Sequence, residues 1–303
     1  FPEYSTNDLY LTSESYGGHY LPTLAKEIVD KNAALREDNL LAIKINLKGF
    51  AVGNPYTTVY TGLPAMIETG WGHQLISQPT MTKFRENHCL EMDTPNYQLD
   101  LCEAILEEMF IQFGNLNPYA LDYPVCIAND KNMKVDSSQE KMWLLNHMLS
   151  NSSPNLRKYF GLSFSSDEFL KGYEPCIADY MSKYLNLPEV KNALHVKSDI
   201  KWKKCSSSVR YNRADGAVSM VPIYKYLIEG NYGLKILVYS GDDDGVCGTV
   251  GTQKWIWKLG NKLEPEDEWQ PYLFHNQLVG YYTIWKDAKM GFVTIHGAGH
   301  EVP

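Results

Sequence analysis

The sequence predicts an α/β fold built on a mostly parallel central sheet. Three observations lead there. Short apolar runs alternate with segments of helical periodicity toward both ends of the chain, the signature of strands joined by crossover helices. The run Leu234–Tyr239 (LKILVY) is mostly apolar, as a buried parallel strand should be. The residues best suited to chemistry follow such runs, at the carboxyl ends where open parallel sheets carry their sites.

The elements follow in chain order. Asp8–Thr12 reads as a short strand running into Ser13-Glu14-Ser15-Tyr16-Gly17-Gly18. From about Tyr20 to Lys31, Leu21, Leu24, Ala25, Ile28 and Val29 recur at helical spacing, with Pro22 in the first turn, where proline is tolerated. Ala42–Leu47 reads as a second strand leading to a turn at Gly53-Asn54-Pro55. Between about Gln78 and Tyr184 polar, helix-leaning segments alternate with loops, Ala128–Gln139 is linker-like, and four cysteines cluster. Pro188–Val196 reads as a helix, Leu234–Tyr239 as a strand and Gly251–Leu259 as a helix. A hairpin turning at Asn276-Gln277 joins Leu273–His275 to Val279–Trp285, and Gly291–Ile295 is the last strand. The expected division is a core part at 1–77, an inserted cap at 78–184 and a second core part at 185–303.

Composition narrows the function classes. The 303 residues, at about 150 per domain, allow two domains or one large domain with an insertion. Hydrophobic residues make up 44% and charged residues 21%, ordinary for a packed protein rather than a disordered one. The net charge of −8 and the lack of a long basic run argue against nucleic-acid binding. No apolar stretch reaches the roughly 18 residues of a membrane span. The chain opens Phe1-Pro2-Glu3-Tyr4 without a basic or apolar leader, so the expectation is a processed chain or a fragment. Six cysteines without a CxxC pair disfavour zinc ribbons and thioredoxin-type redox chemistry. They leave open either reduced buried thiols or disulfides between the neighbours Cys89/Cys102 and Cys126/Cys176. Asn151-Ser152-Ser153 is a glycosylation sequon, pointing toward a secretory route.

Ser15, the run Asp242-Asp243-Asp244 and His300 each follow a strand, in the order Ser, Asp, His. α/β-hydrolases place a nucleophilic triad in that order. Ser15 sits in a strand–turn–helix setting, where a sharp turn would lift its hydroxyl above the sheet. The usual pattern around such a serine is GxSxG, and here Ser13 stands at the first glycine. A serine hydroxyl needs a base to take its proton. His300, beside Gly297-Ala298-Gly299, is the candidate, and one of the three aspartates would orient it. Taken singly, each has a plainer reading: a serine-rich turn or helix cap, a solvated acidic loop, a surface histidine. Asp242-Asp243-Asp244-Gly245 also lacks the alternation of a calcium loop.

At these residues the chain resembles the serine carboxypeptidases, a family of α/β-hydrolases. The matching stretches are FPEY at 1–4, LYLTSESYGGHYLP at 9–22, INLKGFAVGNP at 45–55, GYEPC at 172–176, LVYSGDDD at 237–244 and GAGHEVP at 297–303. The resemblance implies Ser15 as nucleophile, Asp244 as triad acid, His300 as general base and the Tyr16 N–H as one of two oxyanion donors. It implies that Glu14, when protonated, recognises the substrate's terminal carboxylate. Glu301 would line the pocket for the departing C-terminal residue, where an acid suits basic residues. It pairs Cys89 with Cys102 and Cys126 with Cys176, and puts Cys247 where a family member carries a free thiol.

The implied activity is release of C-terminal amino acids from peptides and proteins through an acyl-enzyme, with no cofactor and no metal. The implied location is lysosomal/vacuolar or secreted. The family's N-G-G-P-G-C motif, which carries the second oxyanion donor and a partner for Cys205, is not found in these residues. A second chain or an N-terminal segment is expected to supply it, and without it the half-sheet would expose an unpaired edge and an apolar face. A homodimer is left open. Two other readings remain: an acyltransferase on the same scaffold, disfavoured because such plant relatives carry G-D-H-D where this chain has Gly241-Asp242-Asp243-Asp244, and an inactive homologue with a binding or protective role.

Overall fold

The computed structural model describes residues 2–35, 43–126, 175–204, 216–259, 265 and 267–302. The linker-like stretch Ala128–Gln139, the Asn151 sequon, Cys205 and most of GYEPC lie outside the described residues. The chain divides into two compact units: Phe1–Gln98 with Pro118–Leu121 and Ala217–Pro303, and Leu99–Asn117 with Asp122–Gly216.

In the first unit, strand β1 (Leu9–Glu14) runs into helix α1 (Gly17–Ala33). Strand β2 (Leu47–Gly53) and helices α2 (Val59–Gly72) and α3 (Gln78–Glu86) follow. In the second unit, α4 (Leu99–Phe113) buries Cys102, Ile105, Leu106, Met109 and Phe110 at helical spacing, and α5 (Ile177–Leu185) and α6 (Pro188–Ala193) follow. Cys126 and Cys176 are joined there by a disulfide, and Cys89 and Cys102 are each disulfide-bonded. The chain then returns to the first unit with α7 (Val221–Glu229), β3 (Lys235–Gly241) and α8 (Thr249–Trp257). Strands β4 (Asp267–Phe274), β5 (Gln277–Trp285) and β6 (Met290–Ile295) complete it. No helix among the described residues is long and apolar enough to cross a membrane.

The sheet order is β1-β2-β3-β6-β5-β4. β1, β2, β3 and β6 are parallel, and β5 and β4 are added antiparallel. The carboxyl ends of the four parallel strands therefore share one edge of the layer. Leu11, Phe50, Ile236 and Met290 lie side by side across these strands, and the last three are buried. They pack beneath Leu21, Ala25, Ile28, Tyr224, Leu227, Trp255 and Ile256 of the helices. The next register row, Thr12–Ala51–Leu237–Gly291, belongs to the opposite face, and Leu237 is 41% exposed. Burial along β3 thus alternates, rather than being continuous as its apolar run suggests, because these helices cover one face.

Most element boundaries shift from the sequence reading by one to three residues, and three differences are larger or change a turn. The second strand is Leu47–Gly53 rather than Ala42–Leu47. Gly49 belongs inside it because a Cβ there would lie 2.1 Å from the Lys235 carbonyl oxygen of the adjacent strand. β4 starts at Asp267, six residues before the expected start, with Pro271 tolerated on an edge strand. The hairpin turns at His275-Asn276, not Asn276-Gln277, since those two residues have φ of 49° and 62°, the left-handed pair that a tight hairpin requires.

Candidate active site

Ser15 sits between β1 and α1 with φ of 60°, a left-handed backbone that costs a non-glycine residue energy unless its surroundings enforce it. Here they do. The Ser15 N–H donates to Gly53 O at 2.9 Å, and the Ser15 carbonyl accepts from Gly18 N–H at 2.9 Å and Tyr56 N–H at 2.8 Å. The turn is tight enough that a Cβ on Gly17 would lie 2.2 Å from Ser13 Oγ and 2.5 Å from Ser13 Cβ. Residues 13 and 17 must both stay small, so serine at position 13 fits where the usual pattern has glycine. Tyr16 is the N-cap of α1, so its N–H lies at the positive end of the helix dipole.

The three consecutive aspartates part company at the end of β3. Asp244, fully buried, accepts from His300 Nδ1 at 2.7 Å through Oδ2. The same oxygen accepts from Asn54 Nδ2 at 2.7 Å. Its other oxygen accepts the N–H groups of Val246 at 2.7 Å and Cys247 at 3.1 Å. Four donors thus hold one carboxylate in a single orientation. Asp242 instead faces His296 Nδ1 at 2.8 Å, and Asp243 is buried with its carboxylate 4.0 Å from His73 Nδ1.

His300 is 4% exposed, and its backbone N–H donates to Tyr119 O at 2.6 Å. If Nδ1 carries the proton donated to the carboxylate, Nε2 is left as the acceptor, the tautomer a general base needs, and among the described residues Nε2 has no hydrogen-bond partner. Burial alone would lower its pKa, but the Asp244 charge and hydrogen bond, helped by Glu14 and Glu301, carry it above the ordinary value. Glu14 is raised chiefly by burial, with Glu301 and Asp244 adding to the rise and His300 opposing it. These mutual effects place Glu14, Asp244, His300 and Glu301 within one electrostatic neighbourhood, next to Ser15 in sequence at Glu14. Among the described residues no hydrogen bond joins the Ser15 hydroxyl to His300. Such bonds are often long without substrate and tighten when it binds.

Two contributors escaped the sequence reading. Asn54 lies in the Gly-Asn-Pro segment read there as a turn. Its side chain exchanges hydrogen bonds with the Gly241 backbone at 3.0 and 3.2 Å as well as holding Asp244. Its φ of 37° and full burial were not legible in a three-residue turn motif. His19, in the first turn of α1, has Nδ1 2.7 Å from Tyr56 O and Nε2 3.1 Å from Val218 O, and stacks on Tyr16 at 4.5 Å. Burial lowers its pKa. Cys247 is a free, buried thiol, pushed well up by burial, then by Asp244 and Glu14. Asp244, Cys247 and His300 bring potential ligand atoms within 4.8 Å of one another, but the Asp244 oxygens already accept four hydrogen bonds.

Comparison with known proteins adds to this geometry. The sequence profile of the serine carboxypeptidase family matches residues 1–303. Serine carboxypeptidase-like 33 of Arabidopsis thaliana is 32% identical over 305 residues, spanning all of this chain and 59% of that protein. Serine carboxypeptidase-like 26 of Oryza sativa subsp. japonica is 29% identical over 307 residues, spanning all of this chain and 58% of that protein. The chain therefore covers less than two thirds of the length of these relatives. The crystal structure of Kex1(Δ)p, a prohormone-processing carboxypeptidase from Saccharomyces cerevisiae, superposes with a TM-score of 0.66 at 21% identity, covering all of this chain and 60% of that one. The fold is that of the α/β-hydrolases.

Proposed function

Since the chain belongs to the serine carboxypeptidase family, we propose that it carries the catalytic residues of a serine-type carboxypeptidase. The observation that carries this reading is the 2.7 Å bond from buried His300 to buried Asp244, at the sheet edge where the strained Ser15 turn also lies. In the reaction, His300 Nε2 takes the Ser15 proton as Oγ attacks the last peptide carbonyl. The Tyr16 N–H donates to the oxyanion that forms. Collapse breaks the C–N bond, His300 passes its proton to the departing amine, and the C-terminal amino acid leaves. Water, deprotonated by His300, then attacks the acyl-Ser15 ester and returns the serine. Asp244 holds the imidazole and stabilises its charged form throughout.

Glu14 and Glu301 give this chemistry its exopeptidase character. Burial raises the Glu14 pKa, with His300 opposing and the neighbouring carboxylates adding to the rise; when protonated, its carboxyl donates a hydrogen bond to the substrate's own terminal carboxylate, which an ionised one would repel. Exposed Glu301 offers a charge partner to a basic departing residue. The segment 78–184 is an insertion between the two parts of the core, and the protein works in a lysosomal, vacuolar or secreted setting consistent with its disulfides. The test is Ser15→Ala in the intact protein. Release of C-terminal residues from a peptide should vanish, and retained release would reject the assignment. Transfer of the acyl group to an added alcohol, in preference to water, would instead mark an acyltransferase.

A further inference from the structure

A second histidine–aspartate pair sits on the same two strand ends. Asp242 Oδ2 accepts from His296 Nδ1 at 2.8 Å, and its Oδ1 accepts from Gly297 N–H at 2.7 Å. Both partners belong to the segment that leads from β6 to His300. The Asp242 N–H donates to Ile295 O at 3.1 Å, and the Asp243 N–H to Ala298 O at 2.9 Å. Gly297 has φ of +74°, and a Cβ on Gly241 would lie 2.2 Å from the carbonyl oxygens of both Ala298 and Gly299. The end of β3 and the turn that delivers His300 are therefore in backbone contact, with the Asp242 carboxylate gripping the turn at two points.

The pair is too exposed for its ionic attraction to matter much: the His296 and Asp242 side chains are 70% and 39% accessible, and exposed pairs contribute little stability. Its geometric effect does not depend on that attraction. Tyr119 O and Asp244 fix His300 itself, while Asp242 fixes the turn immediately before it. We propose that Asp242 is a positioning residue for His300, its carboxylate clamping Gly297 and His296 so that the imidazole faces Ser15. The inference rests on the roles assigned above to Ser15 and His300.

The experiment measures the rate at which a fluorophosphonate modifies the intact protein. Ser15→Ala should abolish modification; if it does not, the reading of the site fails, whatever Asp242 does. With modification confined to Ser15, Asp242→Ala should slow it about tenfold or more, since small misplacement of a reacting group is costly. Asp242→Asn keeps an oxygen for the Gly297 N–H and an amide for His296, so it should stay within about threefold of the parent. On a peptide substrate the Asp242→Ala loss should fall on kcat with KM unchanged. A parent-like rate in Asp242→Ala, or Asp242→Asn as slow as Asp242→Ala, would overturn the clamp. Should Asp242→Ala not fold, exposed His296→Ala decides: about threefold slower modification supports the clamp, and an unchanged rate overturns it.

Discussion

Replacing Gly17 with alanine tests the tight turn that presents Ser15. The added Cβ would stand 2.5 Å from Ser13 Cβ and 2.2 Å from Ser13 Oγ. The hydroxyl can rotate away, but the Cβ is fixed to β1, so relief requires α1 to move off the strand. Overpacking of this kind costs about 1–3 kcal/mol, and the need for backbone movement places it near the upper end. At about 2–4 °C per kcal/mol for a domain of this size, the melting midpoint should fall by about 6–12 °C. Ser13→Gly removes both clashing atoms and leaves Val52 Cγ2, at 3.8 Å, as the neighbour the new methyl meets. The double variant loses about 0.5–1 kcal/mol for glycine in a strand and regains about as much from alanine in a helix, so it should melt close to the parent. Thermal unfolding of the four proteins, followed by circular dichroism, gives the coupling directly. A Gly17→Ala protein as stable as the parent, or one that Ser13→Gly does not rescue, would refute the packing argument.

Other outcomes follow from the same geometry. Asp244→Asn puts an amide where four N–H donors converge, so turnover should fall about 10⁴-fold with the fold intact; steady-state kinetics on a blocked dipeptide checks it. Glu14 has a folded pKa raised above 4.5, so its contribution to stability is present below 4.5 and lost as pH rises through the folded value. Glu14→Gln removes that titration, and its melting midpoint should gain on the parent as pH is raised from 4.5 to 7; a constant difference would contradict the burial argument. The same substitution should flatten the rise of peptide KM with pH, measured across that range.

The strands carrying the site were legible because each apolar run ends at a chemically distinct residue. Ser15, Asp244 and His300 follow β1, β3 and β6 in that way. The strand between them was misplaced because the sequence reading ended it at Leu47 and put Gly53 in a turn, whereas Gly49 and Gly53 lie inside it, each small because a neighbour occupies its side-chain space: Lys235 O at Gly49 and the Tyr239 ring at Gly53. Nothing in three consecutive aspartates tells which meets His300, since the choice depends on how the chain turns after β3. The family resemblance points to Asp244, and of the three it is Asp244 whose carboxylate accepts from His300 Nδ1. Asn54 stayed hidden because its function lies in contacts with Gly241 and Asp244, some 190 residues away, which no local pattern records. The exposed face of β3 was equally invisible in its own residues, because burial depends on what the rest of the chain lays against it.

The most direct measurement is a crystal structure of the intact protein with a phosphonate bound at the site. The phosphorus should sit on Ser15 Oγ, with His300 Nε2 at hydrogen-bonding distance, about 2.6–3.2 Å, from the oxygens at that centre, and Tyr16 N–H on the phosphoryl oxygen. An unmodified Ser15, or an imidazole at residue 300 turned away from it while still bound to Asp244, would contradict the account.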